Sequence, residues 1–311
     1  MNKKRLRKDI NKLLKQSSPI GKVIICVILI VALAIIGLFA GDRFSAEEKD
    51  NIKPYNEYPF TVSFIDVDQG DCALISCEGI NILVDGGEAS SSAKVLNYLD
   101  EFGVDKLDGY IATHPHSDHI GATAGILNSI PCDKVFTTYF SEFNIPTSKV
   151  YEKFLDAVYD SSAEVIAVEA EDVYTFGDLK LNILAPIVES DEYNDMSIVF
   201  VAEYKDTSVL FTGDATVNVE KQILEKNYNV EADVIKIAHH GSTTSNSSQF
   251  LNKVSPEFAV ISCGQNNTYG HPHKEIIDRL NNKQIEYLRT DINGDIICYG
   301  DGHNFKVEAV N

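Results

Sequence analysis

Residues 108–121 read D-G-Y-I-A-T-H-P-H-S-D-H-I-G. The run Leu107–Thr113 has the apolar character of a buried strand, and polar groups follow it at once: His114, His116, Asp118 and His119, with Pro115 stiffening the turn. A helical pattern begins near Ile120 and runs to about Ser129. Two imidazoles at i and i+2 on such a turn can converge on one cation, while Asp118 and His119, at the entry of the helix, can face a second beside it. Imidazole nitrogen mixed with carboxylate oxygen suits Zn²⁺. The order strand, ligand-rich loop, helix is how a mixed sheet presents functional groups at its edge.

Two further segments repeat this logic. The strand-like run Val209–Thr212 ends in Gly213–Asp214, which puts a carboxylate at a sheet edge, and Ile235–Ala238 ends in His239–His240–Gly241–Ser242. Together they supply what a two-cation site needs, a bridging carboxylate and another imidazole. Of the eight histidines, seven fall in three clusters, the third being His271 and His273 in the loop N-N-T-Y-G-H-P-H, and His303 reads as a surface residue.

Around these loops the pattern alternates. Phe60–Asp66, Cys72–Ser76 and Ile80–Val84 read as a strand meander, Ser92–Phe102 as an amphipathic helix stopped by Gly103, and strands and helices then interleave to a β-rich end at Ile285–Arg289, Asp295–Tyr299 and Asn304–Glu308. No repeat of 20–50 residues interrupts it. The expectation is an α/β (α+β) domain spanning 60–311, mixed sheets flanked by helices.

Composition is that of a globular chain, 44% apolar and 23% charged, which excludes disorder, collagen and coiled coil. The net charge of −19 is unevenly spread. Residues 1–22 carry eight basic side chains against Asp9, a net +7, so the remainder carries −26. Between them lies VIICVILIVALAIIGLFA, the 18 residues Val23–Ala40, about the minimum that spans a bilayer as a helix and longer than the roughly 7–15 residues of a signal-peptide core. The reading is a transmembrane anchor over 23–41 and a polar linker over 42–59. The basic flank places 1–22 in the cytoplasm as a tail and the acidic domain outside a single-pass cell membrane anchor. Cys72, Cys77, Cys132, Cys263 and Cys298 are odd in number, without a C-x-x-C pair, and read as buried free thiols.

H-P-H-S-D-H, with V-D-G-G at 84–87, T-G-D-A at 212–215 and A-H-H-G-S at 238–242, resembles the metallo-β-lactamase superfamily. F-I-D-V-D-Q-G-D at 64–71, N-D-M-S at 194–197, Y-G-H-P-H at 269–273 and T-D-I-N-G at 290–294 bring the likeness closer to the metallo-β-lactamase-like domain of ComEC-type competence proteins, over about Phe60 to Val310. The resemblance implies a four-layer αβ/βα sandwich with two divalent metal ions at one edge, Zn²⁺ first and Mn²⁺ as the alternative. It implies that His114 and His116 hold one metal, that Asp118, His119 and one of the paired histidines hold the other, and that Asp214 bridges them. His240 is preferred for the paired position, with His239 behind it. Asp85 would orient the His loop. The sequence departs from other members in offering no histidine between His119 and His239 to complete the first metal, and Asn194 or Asp195 stands where a replacement would come from.

The function expected is hydrolysis by water activated between two metals, with Asp118, His239 and His271 assigned to catalysis and His271 and His273 placed to bind a phosphate oxygen or protonate a leaving group. The ComEC-like motifs favour a phosphodiester, DNA among the candidates, while a domain at −26 lacks the basic stripe with which proteins hold a polyanion. A cell-wall phosphoester, a lactam or a lactone, and a non-catalytic metal-containing binding module are the alternatives. Lys236, Lys253, Lys274 and Arg289 are the basic residues expected to hold a nucleic acid backbone. The membrane is the expected partner through the N-terminal helix, and no protein partner is inferred.

Overall fold

Apolar side chains on both faces of a strand call for cover on both faces, and the strands of this chain carry them. In the computed structural model, which describes residues 57–310, the chain opens as β1 (Phe60–Phe64), β2 (Ala73–Cys77) and β3 (Ile80–Val84), an antiparallel meander, followed by β4 (Gly109–Ile111), β5 (Lys134–Thr138) and β6 (Glu164–Val168), which add in parallel. A second sheet comprises β7 (Val173–Phe176), β8 (Leu179–Ala185), β9 (Val199–Tyr204), β10 (Thr207–Phe211), β11 (Val234–Lys236), β12 (Phe258–Ile261) and β13 (Glu286–Arg289) in the order β13-β12-β11-β10-β9-β8-β7. β14 (Asp295–Gly300) and β15 (Phe305–Val310) return to the first sheet beside β1, giving β15-β14-β1-β2-β3-β4-β5-β6.

The helices α1 (Ser92–Glu101), α2 (Ser117–Ile120), α3 (Thr123–Leu127) and α4 (Lys149–Ser161) serve the first sheet, and α5 (Val217–Glu225), α6 (Ser248–Val254) and α7 (Lys274–Lys283) the second, with the short α8 (Thr290–Asn293) leading into β14. Strand alternation sorts the core into three parts. Ile82, Val84, Phe200, Val209 and Phe211 face the space between the sheets, where the Phe200 and Phe211 rings stack at 4.7 Å, whereas Leu83 joins the helices on one outer face and Val201 and Leu210 join those on the other. The result is the four-layer αβ/βα sandwich, each fully buried Leu or Phe contributing about 1.5–3 kcal/mol of transfer free energy.

The helix expected from Ile120 to Ser129 is broken in two. Its start is drawn back to Ser117, and the carbonyls of Asp118 and His119, which a continuous helix would use internally, instead accept from Asp71 N–H (3.0 Å) and Gly86 N–H (2.8 Å), while Ala122 N–H donates to Gly87 O (3.0 Å). β4 is shorter than Leu107–Thr113 because the Thr113 amide turns to the Asp85 carboxylate (2.8 Å). β7, a half-exposed edge strand of four residues, is not among the strands that the sequence pattern marks. The five cysteines of the domain are buried free thiols, as expected. The apolar run 23–41 and the basic tail 1–22 lie outside the described residues, among which no helix is long and apolar enough to cross a membrane.

Candidate metal centre

The functional side chains leave the sheets where β3, β4, β10, β11 and β12 end, the edge at which open α/β sheets place ligands. Just after β3, Asp85 is fully buried with φ 56°, a left-handed conformation that an L-residue adopts at a cost. Its carboxylate accepts from Thr113 N–H (2.8 Å) and Thr113 Oγ1–H (2.6 Å) and lies 2.7 Å from His119 Nδ1, so the loop after β4 is fixed in rotation and the His119 Nε2 face is left free. This is the orienting role expected of Asp85. Thr113 Oγ1 also meets His114 Nδ1 (3.2 Å), which turns His114 Nε2 toward His116 Nδ1, 3.0 Å away.

Asp214 sits at the centre. Its Oδ1 is 3.3 Å from His119 Nε2, and its Oδ2 is 3.8 Å from His114 Nε2, 3.7 Å from His239 Nε2 and 3.7 Å from His240 Nε2. His240 Nε2 lies 3.2 Å from Asp118 Oδ2. Asp118, His119 and His240 have ligand atoms close enough to share one ion, and so do His114, His119 and Asp214. Of the paired histidines it is therefore His240 that joins Asp118, whereas the more open His239 rests its Nδ1 on Thr244 Oγ1 (3.0 Å). Both adopt φ 53°, and the turn is held by the Asn246 amide, which accepts from Ala238 N–H and donates to Ala238 O, each at 2.9 Å.

The third histidine loop divides. His271 lines the same pocket of about 290 Å³ as His116, Asp118, Asn194, Asp214, His239, His240, Gln69 and Tyr269, while His273 Nδ1 accepts from Thr243 N–H (3.0 Å) and fastens the loop to the segment after His240. Asn267 clamps His271, accepting from its N–H (3.0 Å) and donating to its carbonyl (2.6 Å). Tyr269, largely exposed, stacks on the His271 ring at 5.6 Å.

Burial works against charge on every group in this centre, and the neighbours decide the outcome. His114, buried and beside His119, is pushed well below the usual imidazole range. His119 is held well above it, burial being outweighed by Asp214 and Asp85, and His240 is pushed up to about 10 against burial by Asp214, Asp71 and Asp118. Burial raises Asp118 and Asp214, yet the facing imidazoles hold both below the usual carboxylate range. His271, half-buried and facing His240 and His239, is lowered to about 4.

This donor set fits divalent cations. Carboxylates and imidazoles converge, and His119 Nε2, Asp214 Oδ1 and Asn194 Oδ1 are buried with no hydrogen-bond partner. The replacement looked for in the first position is narrowed as well, because Asp195 is taken up by Thr216 Oγ1–H (2.5 Å) while Asn194 lines the pocket. Lys236 differs from expectation, being 3% exposed and ion-paired with Asp71; Arg289 is forked onto Asp291 (3.0 and 2.6 Å), while Lys253 and Lys274 are exposed, Lys274 pairing with Asp278 at the surface. A lysine inside the apolar strand V-I-K was the signal, available in the sequence, that Lys236 faces a buried acid. Asp71 went unassigned because a Gly-Asp pair in a loop carries no mark of what it meets.

The family model described as Metallo-beta-lactamase superfamily matches residues 65–265. The chain is 31% identical over 254 residues to ComE operon protein 3 of Bacillus subtilis (strain 168), covering 76% of this chain and 32% of that protein. It is 29% identical over 244 residues to Competence protein ComA of Neisseria gonorrhoeae, covering 78% and 32%. The chain thus spans about a third of the length of these curated relatives. Among solved structures, the metallo-beta-lactamase fold protein YhfI from Bacillus subtilis superposes with a TM-score of 0.51 at 15% identity, over 74% of this chain and 96% of that one, a likeness of fold alone.

Proposed function

The chain belongs to the metallo-β-lactamase superfamily, with relatives among the ComEC-like competence proteins, and on that footing we propose that it is a binuclear metal-dependent hydrolase of phosphodiesters. The observation that carries the reading is the position of Asp214, whose two oxygens lie between the His114 side and the Asp118–His119–His240 side of the centre. His114 and His116, with Asn194 beside them, would hold one cation and Asp118, His119 and His240 the other, Asp214 belonging to both. With Zn²⁺ or Mn²⁺ bound there, the site would supply a water whose pKa falls toward ~7 and a positive charge for a substrate oxygen.

The residues of the chain do the rest. Asp85 and Thr113 fix the rotation of the His loop, His239 and His271 line the pocket, and His271 is placed to donate to a phosphoryl or leaving oxygen. Phosphorus is preferred to carbonyl carbon on the ComEC-like motifs. The excess of acidic residues, with Lys236 buried on Asp71 and Arg289 forked onto Asp291, favours a small or surface-bound diester over a long nucleic acid, DNA remaining a substrate to be tested. The site of action follows from the anchor, with 60–311 outside the cell; protease added to intact cells should digest this domain, and full protection would reverse the orientation.

The reaction is tested with the full chain in detergent, Zn²⁺ or Mn²⁺ restored, on bis-p-nitrophenyl phosphate, DNA, RNA, nitrocefin and a lactone. Chelator-sensitive diester cleavage, lost in His116→Ala and Asp118→Ala, is expected. Efficient nitrocefin or lactone turnover with no diester cleavage under either metal would refute it.

A further inference from the structure

Asp118, His119 and His240, the three residues that would hold the second cation, all lie against Asp71. Asp71 N–H donates to Asp118 O (3.0 Å), and its carboxylate adds a charge behind both rings, Oδ1 3.4 Å from His240 Nδ1 and Oδ2 3.8 Å from His119 Nδ1, beyond the closer partners of those nitrogens, Ser262 O (2.9 Å) and Asp85 Oδ2 (2.7 Å). The approach needs the preceding glycine. At Gly70, φ +150°, a Cβ would stand 2.4 Å from Asp118 O. Behind Asp71 is Lys236, the one lysine or arginine that is buried among the described residues, with its ammonium on Asp71 Oδ2 and 3.5 Å from Gly213 O, directly before Asp214. The pair thus ties the β1–β2 loop to the ends of β10 and β11, from which Asp214 and His240 depart.

Asp71 has a second property. With Asp214 and His240 it forms a group of ligand atoms close enough to hold an ion, so that without an opposing charge it would compete for the cation. The Lys236 ammonium sits on Oδ2, the oxygen other than the one that faces His240, and offsets the charge of the carboxylate. The space beside the pair is a cavity of about 10 Å³ lined by Asp71, Lys236, Asp85, Thr113, Phe64 and Phe211 among others, room for one water at most and none for a guanidinium. We infer that Asp71 and Lys236 are a positioning pair for the second cation: Asp71 aligns the three ligands from behind, and Lys236 keeps Asp71 out of the coordination. This rests on the binuclear reading above.

The test is Co²⁺ titration of the full chain in detergent against a competing chelator, followed by the visible absorption of the bound ion, in wild type, Lys236→Met, Asp71→Asn and the double variant. Wild type should bind in two steps. Each single variant should keep the first step and weaken the second by about 10–100-fold with an altered spectrum, the usual size of an effect transmitted through a ligand's support. Because removing one partner leaves the other buried and unpaired, the double variant should bind the second Co²⁺ better than either single one. Circular dichroism checks the fold; should Lys236→Met fail to fold, the near-isosteric Asp71→Asn carries the same expectation. Equal weakening of both steps, or folded single variants with wild-type binding, would overturn the inference. A wild type without two binding steps would overturn the binuclear reading instead.

Discussion

Asp214→Ala is expected to lower the metal content of the purified protein from about two transition-metal ions per chain to one or none, and to reduce diester turnover by on the order of 10³-fold, the several kcal/mol of charge stabilisation that a metal site supplies. The magnitude follows from where the carboxylate sits. Within 3.3–3.8 Å of its oxygens lie His114, His119, His239 and His240, so its removal leaves imidazoles facing one another with no negative charge between them. Asp118 cannot take over, since it lies on the His240 side alone among these contacts. Elemental analysis reads the result directly. A wild-type protein holding no more than one ion, unchanged by Asp214→Ala, would sink the two-cation arrangement.

That Asp214, rather than any other acid among the many on this chain, can be picked out by reading shows what local sequence carries. A strand that ends in Gly-Asp delivers its carboxylate to a sheet edge, because strand direction and the end of the apolar run are local properties. The same holds for His114 and His116 in the loop after β4, for Asp118 and His119 in the short helix that follows it, and for the His239–His240 turn after β11. The meander Phe60–Val84 was legible for a similar reason, its strands pairing with their sequence neighbours.

Legibility stops where contacts become long-range. Nothing near Thr61 or Val62 says that β14, more than two hundred residues on, is its other neighbour. The break between α2 and α3 was hidden because the groups that take the Asp118 and His119 carbonyls, Asp71 N–H and Gly86 N–H, come from other loops. The resemblance preferred His240 to His239, but two adjacent histidines do not show which way each ring turns; left-handed backbone at both and the Asn246 clamp on Ala238 turn His240 toward Asp118 and His239 toward Thr244. Lys236 shows the opposite error. Its charge suggested a surface role, whereas its place in an apolar strand pointed inward, and burial proved the better guide.

His271→Ala is expected to lower kcat by about 10²–10⁴-fold with metal content intact, the usual size of an acid or hydrogen-bonding contribution at a reacting centre. The loop that carries it is built for position. Asn267 holds the His271 backbone on both sides, His273 fastens the segment to Thr243, and Gly241 packs so closely that a Cβ there would lie 2.5 Å from Pro272 Cβ. His271 belongs to none of the groups whose ligand atoms lie close enough to share an ion; its ring lies beside those of His239 and His240, at 5.5 and 6.1 Å. The substitution should therefore spare both metals and strike turnover. Two substrates divide its roles. A p-nitrophenolate departs without a proton, and an alkoxide does not. A loss equal on bis-p-nitrophenyl phosphate and on an alkyl diester would assign His271 to a phosphoryl oxygen; a steeper loss on the alkyl diester would assign it to the leaving group. Wild-type turnover on both would make this histidine a feature of the loop, with no part in the reaction.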